Sequence, residues 1–181
     1  MPVRSTWSGR SLGTREGRVQ FSVPAHIIGE KTMHIIRPGG RITNANLPSI
    51  FLAGPSPRED HSLSWRPTAI EKFRLLGFKG QLFIPEPWST DWEGQVEWED
   101  KHLNIAKCIL FWIPRELSKM PGFTTNIEWG KWNNSGKVVL GAPEDAPNMR
   151  YIRYYADKYN VPQATSLIGT IKHSLITAHK G

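Results

Sequence analysis

The chain has 181 residues, 39% of them hydrophobic, and a formal net charge of +7, which is enough apolar material for one good core and too little length for two ordinary domains with linkers. No apolar run is long enough to span a bilayer and no signal-type segment opens the chain, so a soluble, cytoplasmic protein with no membrane partner is expected. The single cysteine, Cys108, excludes an internal disulfide and a cysteine-built zinc site, and the six histidines lack H-x-x-H or H-E-x-x-H spacing, so neither a metal nor a cofactor is expected.

Residues 1–48 carry seven Lys/Arg against two acids, so +5 of the total +7 belongs to the N-terminal arm. Within it, residues 1–17 are too rich in Arg, Ser, Thr and Gly to offset their ordering entropy by burial, and are expected to form a flexible basic tail. Their Arg- and Ser-rich, acid-poor character also suits an organelle transit peptide. With no stacking aromatic interleaved beyond Trp7, nucleic acid is not the expected partner. Residues 18–48 form an N-terminal extension in which VQFSVP and TMHIIRP alternate as two short strands, with Pro38-Gly39-Gly40 as a turn. They fit either a hairpin on a sheet edge or a cover over one end of a cleft.

A β-α rhythm takes over at Ser49. SIFLAG (49–54) reads as a buried strand broken by Gly54-Pro55. A helix capped by Ser64 runs through Leu76, with Trp65, Ala69, Ile70, Phe73 and Leu76 at helical spacing and Gly77 as its stop. QLFIP (81–85) is the second strand, GQVEWEDKHLNIA (94–106) a helix, and KCILFWI (107–113) the third strand, with Cys108 as buried packing. A short helix starting at Thr124 or Thr125 ends near Ser135-Gly136. KVVLGAP (137–143), a helix over Asn148–Tyr159, VPQAT (161–165) and a helix over Ser166–His179 complete the chain. The alternation predicts an α/β fold, a doubly wound, flavodoxin- or Rossmann-like parallel sheet of five strands with helices on both faces and a hairpin-like N-terminal extension.

Such a sheet binds its ligand beyond the carboxyl ends of its strands, which points to the loops Gly54–Ser64, Glu86–Gly94, Pro114–Thr124 and Gly141–Pro147. None holds G-x-G-x-x-G or a P-loop. In the second, Trp88 and Trp92 offer a stacking face for a base or, equally, a lid on the hydrophobic core. On the helix over 94–106, Glu99 shares a face with Leu103 and Ala106, which should pack inward, so it is either a working acid or an edge acid paired with a lysine or arginine. Glu128 falls in the first turn of its predicted helix. There the positive end of the dipole should keep it ionised at neutral pH, as a nucleophile on an anomeric carbon requires. Thr125-Asn126-Ile127-Glu128 also fits an S/T-x-x-E capping box, in which the glutamate would serve only the helix start.

The segments IFLAGPSPR (50–58), SWRPTAI (64–70), VEWEDKHLNIAKCILFWIPREL (96–117) and MPGFTTNIEWGKWNNSGKVVLG (120–141) together resemble the nucleoside 2-deoxyribosyltransferase family and its nucleotide N-glycosidase relatives. The resemblance covers nearly all of residues 49–175 and leaves out residues 1–48. It implies that Glu128 is the nucleophile on C1′ of the sugar and that Glu99 is the second acid, where relatives carry an aspartate. It also implies a small-molecule nucleoside or nucleotide substrate and a homo-oligomer. A serine that holds the 5′-phosphate in the relatives hydrolysing monophosphates corresponds to Gly122. Backbone amides around Gly54–Arg58, a stretch that includes Pro55 and Ser56, and the hydroxyls of Thr124 and Thr125, beside Asn126, are the candidate substitutes. Arg58 is the candidate cation for a phosphate or a carbonyl or, alternatively, an exposed loop charge, and Trp65, Trp88, Trp92 and Phe123 are candidates for an apolar wall. The activities consistent with these residues are transfer or hydrolysis of an N-glycosidic bond, including that of a nucleoside 5′-monophosphate or NAD. A non-catalytic nucleotide-sensing domain stands beside them.

Overall fold

A computed structural model describes residues 32–57, 64–87 and 91–180. Its six parallel strands are β1 (His34–Ile36), β2 (Ser49–Ala53), β3 (Gln81–Phe83), β4 (Cys108–Trp112), β5 (Val138–Gly141) and β6 (Gln163–Ala164). The helices are α1 (Arg66–Leu75), α2 (Trp92–Ile105), α3 (Phe123–Trp132), α4 (Arg150–Lys158) and α5 (Leu167–Lys180).

The strands lie in the order β1-β3-β2-β4-β5-β6. Each of β2, β4 and β5 is buried along its whole length, which is why these segments read as unbroken apolar runs rather than as alternating ones. Alternate residues still serve opposite faces. Phe51, Ile109, Phe111 and Leu140 pack with Leu103 of α2, Trp129 of α3 and Ile152 of α4. Ile50, Leu52, Leu110 and Val139 pack with Ala69 and Phe73 of α1 and Ile171 of α5. Helices therefore cover both faces, as a doubly wound sheet requires.

The sheet has one strand more than the sequence suggests. Residues 34–36, from the predicted extension, run parallel to β3 at the edge of the sheet formed by the described residues, with Ile36 in the core. The other predicted strand of that extension, over 19–24, lies outside the described residues. Among the described residues, no helix is long and apolar enough to cross a membrane.

The topology fixes where a ligand can enter. From β2 the chain passes through α1 to β3 on one side, then crosses through α2 to β4 on the other. The crevice beyond the carboxyl ends of β2 and β4 is thus the switch point of the sheet. At its floor the two strand ends approach closely: Gly54 has φ +144°, and a Cβ there would lie 2.1 Å from the Trp112 carbonyl oxygen. Only glycine fits that position.

Candidate functional site

A cavity of about 440 Å³ opens at this switch point. Phe51, Ala53, Gly54 and Ser56 line it from the end of β2, Pro85 from the end of β3, and Glu99 from α2. The turn into α3 supplies Gly122, Phe123, Thr124, Thr125 and Glu128.

The start of α3 differs from the sequence reading in a way that matters chemically. Gly122, left-handed at φ +70°, is the N-cap and provides no side-chain cap, so the helix begins at Phe123. Thr125 is its third residue rather than its cap, so Thr125 and Glu128 cannot form the capping box. Glu128 sits in the second turn, beyond the reach of most of the dipole field. Among the described residues, no hydrogen bond ties down its carboxylate, and Glu128 is half-buried in the cavity lining.

Burial then decides the electrostatics. Loss of solvent, reinforced by the charge of Glu99 and opposed by the Arg66 guanidinium, pushes the Glu128 carboxyl up to about 8. The expectation that Glu128 stays ionised at neutral pH is therefore corrected: its proton is held. Burial also raises Glu99, against the pull of a hydrogen bond from Gln95 and the charge of Arg66. Gln95 Nε2 donates to Glu99 Oε1 at 2.6 Å and to the Pro85 carbonyl at 3.2 Å, tying the acid to the end of β3. Glu99 projects from the face that buries Leu103, and among the described residues its hydrogen-bond partner is this glutamine rather than a cation.

Gly54, Ser56, Phe123, Thr124 and Thr125 come together with the two acids, and Phe123 is largely exposed at the rim. Other predicted positions lie elsewhere. Pro55 is buried behind the wall, where its carbonyl accepts the Trp65 indole N–H at 3.1 Å, so Trp65 braces the loop instead of lining the cavity. Trp92 is the first residue of α2, 67% exposed and outside the lining. Asn126 turns to a second cavity of about 570 Å³ on the other side of Phe123, where its Oδ1 accepts from Arg115 Nη2 at 2.5 Å. Arg58 and Trp88 lie outside the described residues.

Two basic residues escaped the sequence reading. Arg115 lines the second cavity beside Tyr151 and Tyr155. Arg66 lines the first and is 2% exposed. Its position was legible, because Arg66, Ala69, Ile70 and Phe73 fall on one inward helical stripe, the pattern that singles out Glu99.

A family model described as "Nucleoside 2-deoxyribosyltransferase like" matches residues 47–146, more than half of the chain. The chain belongs to the nucleoside 2-deoxyribosyltransferase-like family. No curated protein matches it. The span shared with the family runs from the start of β2 past β5, and so contains Gly54, Arg66, Glu99 and Glu128 together with every strand that flanks the switch point.

Proposed function

We propose that this chain cleaves or transfers the N-glycosidic bond of a nucleoside or nucleotide, with Glu128 as nucleophile. The observation that carries the reading is the pair of carboxyl groups, Glu128 and Glu99, facing one cavity at the switch point of a fold whose family is described by deoxyribosyl transfer. With Glu128 pushed up to about 8, the free site retains a proton at neutral pH. N-glycoside cleavage needs both a carboxylate to attack and a proton for the departing base, and a pair that holds one proton has both.

In the proposed sequence, Glu128 attacks C1′ as the bond from C1′ to the base nitrogen breaks through an oxocarbenium-like transition state. The bond's electron pair leaves with the base, and the proton displaced from Glu128 reaches that nitrogen by way of Glu99. The product is a sugar ester of Glu128. A second base or a water then attacks C1′, the ester bond breaks to regenerate the carboxylate, and the attacking group's proton returns to the pair. Two displacements retain the configuration.

Ser56, Thr124 and Thr125 supply hydroxyls to the substrate, Gly54 allows its close approach, and Phe123 forms an apolar wall. The proposed assembly is a homo-oligomer, supported by Phe123, Ile127, Tyr151 and Tyr154, which leave large apolar surfaces exposed on α3 and α4.

The test is turnover of a panel of ribo- and deoxyribonucleosides, their 5′-monophosphates and NAD, with and without a second free base, with the products separated chromatographically. Base exchange identifies a transferase, and free base with free sugar a hydrolase. Binding without turnover of any member refutes the proposal in favour of a sensing domain.

A further inference from the structure

The most completely enclosed charge at the site is Arg66. Its Nε donates to the Leu52 carbonyl at 3.1 Å and its Nη2 to the Gly54 carbonyl at 2.8 Å. Its Nη1 donates to Ser56 Oγ at 2.9 Å and to Glu86 Oε1 at 2.6 Å. Four of the five N–H donors of a guanidinium are thereby engaged. Three of the acceptors belong to the bend where β2 runs out into the cavity wall. The fourth, Glu86, is itself fixed: its other oxygen accepts from Ser64 Oγ at 2.7 Å and its backbone carbonyl from the Arg37 guanidinium.

Among the described residues, three acids act on Arg66: Glu86 from the end of β3, Glu99 from α2 and Glu128 from α3. Of these only Glu86 forms an ion pair with it. Arg66 shares the cavity lining with Glu99 and Glu128, and its charge opposes the burial that holds protons on both.

We propose that Arg66 is the positioning residue of this site, fixing the cavity wall after β2 through its guanidinium fork and supplying the positive potential that lets Glu128 become a carboxylate. This deepens the proposed function and rests on it only where turnover is measured. A buried arginine with a purely structural role would hold the bend and leave the titration of Glu128 alone.

The titration of the Glu128 carboxyl in the full chain, followed by carbon-13 NMR and assigned with Glu128→Gln, separates the two roles. The wild-type midpoint should lie near 8. Arg66→Gln, which removes the charge, should raise it by about one pH unit or more. Arg66→Lys keeps the charge and should hold the midpoint within about half a pH unit. A lysine has only three donors, without the planar fork, so the KM for a substrate from the panel should rise several-fold in this variant.

A midpoint that stays put or falls toward 4.5 in folded Arg66→Gln overturns the proposal. If that variant does not fold, the wild-type protein still decides. The Arg66 Nε–H resonance should show an inflection near 8 that Glu128→Gln abolishes, and a wild-type resonance without it overturns the proposal. Full turnover by Glu128→Gln would refute the nucleophile while leaving the measured coupling between Arg66 and Glu128 intact.

Discussion

Replacing Glu128 by glutamine should make the protein more stable, and the gain should depend on pH. The unfolded chain releases this proton near the ordinary value of 4.5, the folded chain near about 8. Between those values the folded state binds the proton more tightly, so raising the pH costs stability. Below 4.5 the penalty is absent, and above about 8 it is fully present. At about 1.4 kcal/mol per pH unit the whole span corresponds to on the order of 5 kcal/mol. The carboxyl keeps some contact with solvent in the cavity and shares its penalty with Glu99, so a measured gain of about 2–3 kcal/mol is the expectation. For a chain of this size that is a rise in melting temperature of roughly 5–10 °C. Thermal melts of wild type and Glu128→Gln at pH 5, 7 and 9 should show curves that nearly coincide at pH 5 and separate steadily toward pH 9. A difference that is constant across this range, or a variant less stable at pH 9, would refute the claim that burial strains this carboxylate.

Glu99→Gln removes the negative neighbour that helps hold the proton on Glu128. The Glu128 midpoint should therefore fall by about one pH unit, while the rate of glycosidic cleavage drops by roughly 10²–10⁴-fold, as pH-rate profiles of kcat would show. Gly54→Ala places a Cβ against the Trp112 carbonyl at a backbone angle of +144°, and urea denaturation should register a loss of about 3 kcal/mol or more. Lys137 donates to the carbonyls of Leu103, Asn104 and Ala106 where α2 ends, so Lys137→Ala should cost about 1–2 kcal/mol in the same assay.

The parts of the fold visible in the sequence are those whose burial leaves no alternative. SIFLA and CILFW are apolar at nearly every position because helices cover both faces of β2 and β4, and no other arrangement would shield them. Residues 34–36 gave a weaker signal: three residues at a sheet edge are too few to show whether their neighbour runs parallel or antiparallel. At α3 a local rule was outvoted. Thr125-x-x-Glu128 has the letters of a cap, but the left-handed Gly122 starts the helix earlier and carries Glu128 into the second turn. That shift removes most of the dipole's help, so desolvation governs the proton. The positions of Glu99 and Glu128 were readable from helical spacing and family resemblance, whereas the protonation of Glu128 depends on how deeply the fold buries it and on the Glu99 and Arg66 charges that other helices bring to it, which no pattern local to α3 encodes. Trp65 and Trp92 show a related limit, since a tryptophan near a loop has the same letters whether it braces the wall from behind or lies on the surface.

The central claim is that a covalent bond forms between the sugar and one side chain. The most direct measurement is peptide mass mapping after the protein is mixed with a turned-over nucleoside and quenched in acid. A glycosyl mass added to the peptide carrying Glu128, present in wild type and missing in Glu128→Gln together with its turnover, is the predicted result. Undiminished turnover by Glu128→Gln, or a sugar adduct on a different residue, would contradict the account.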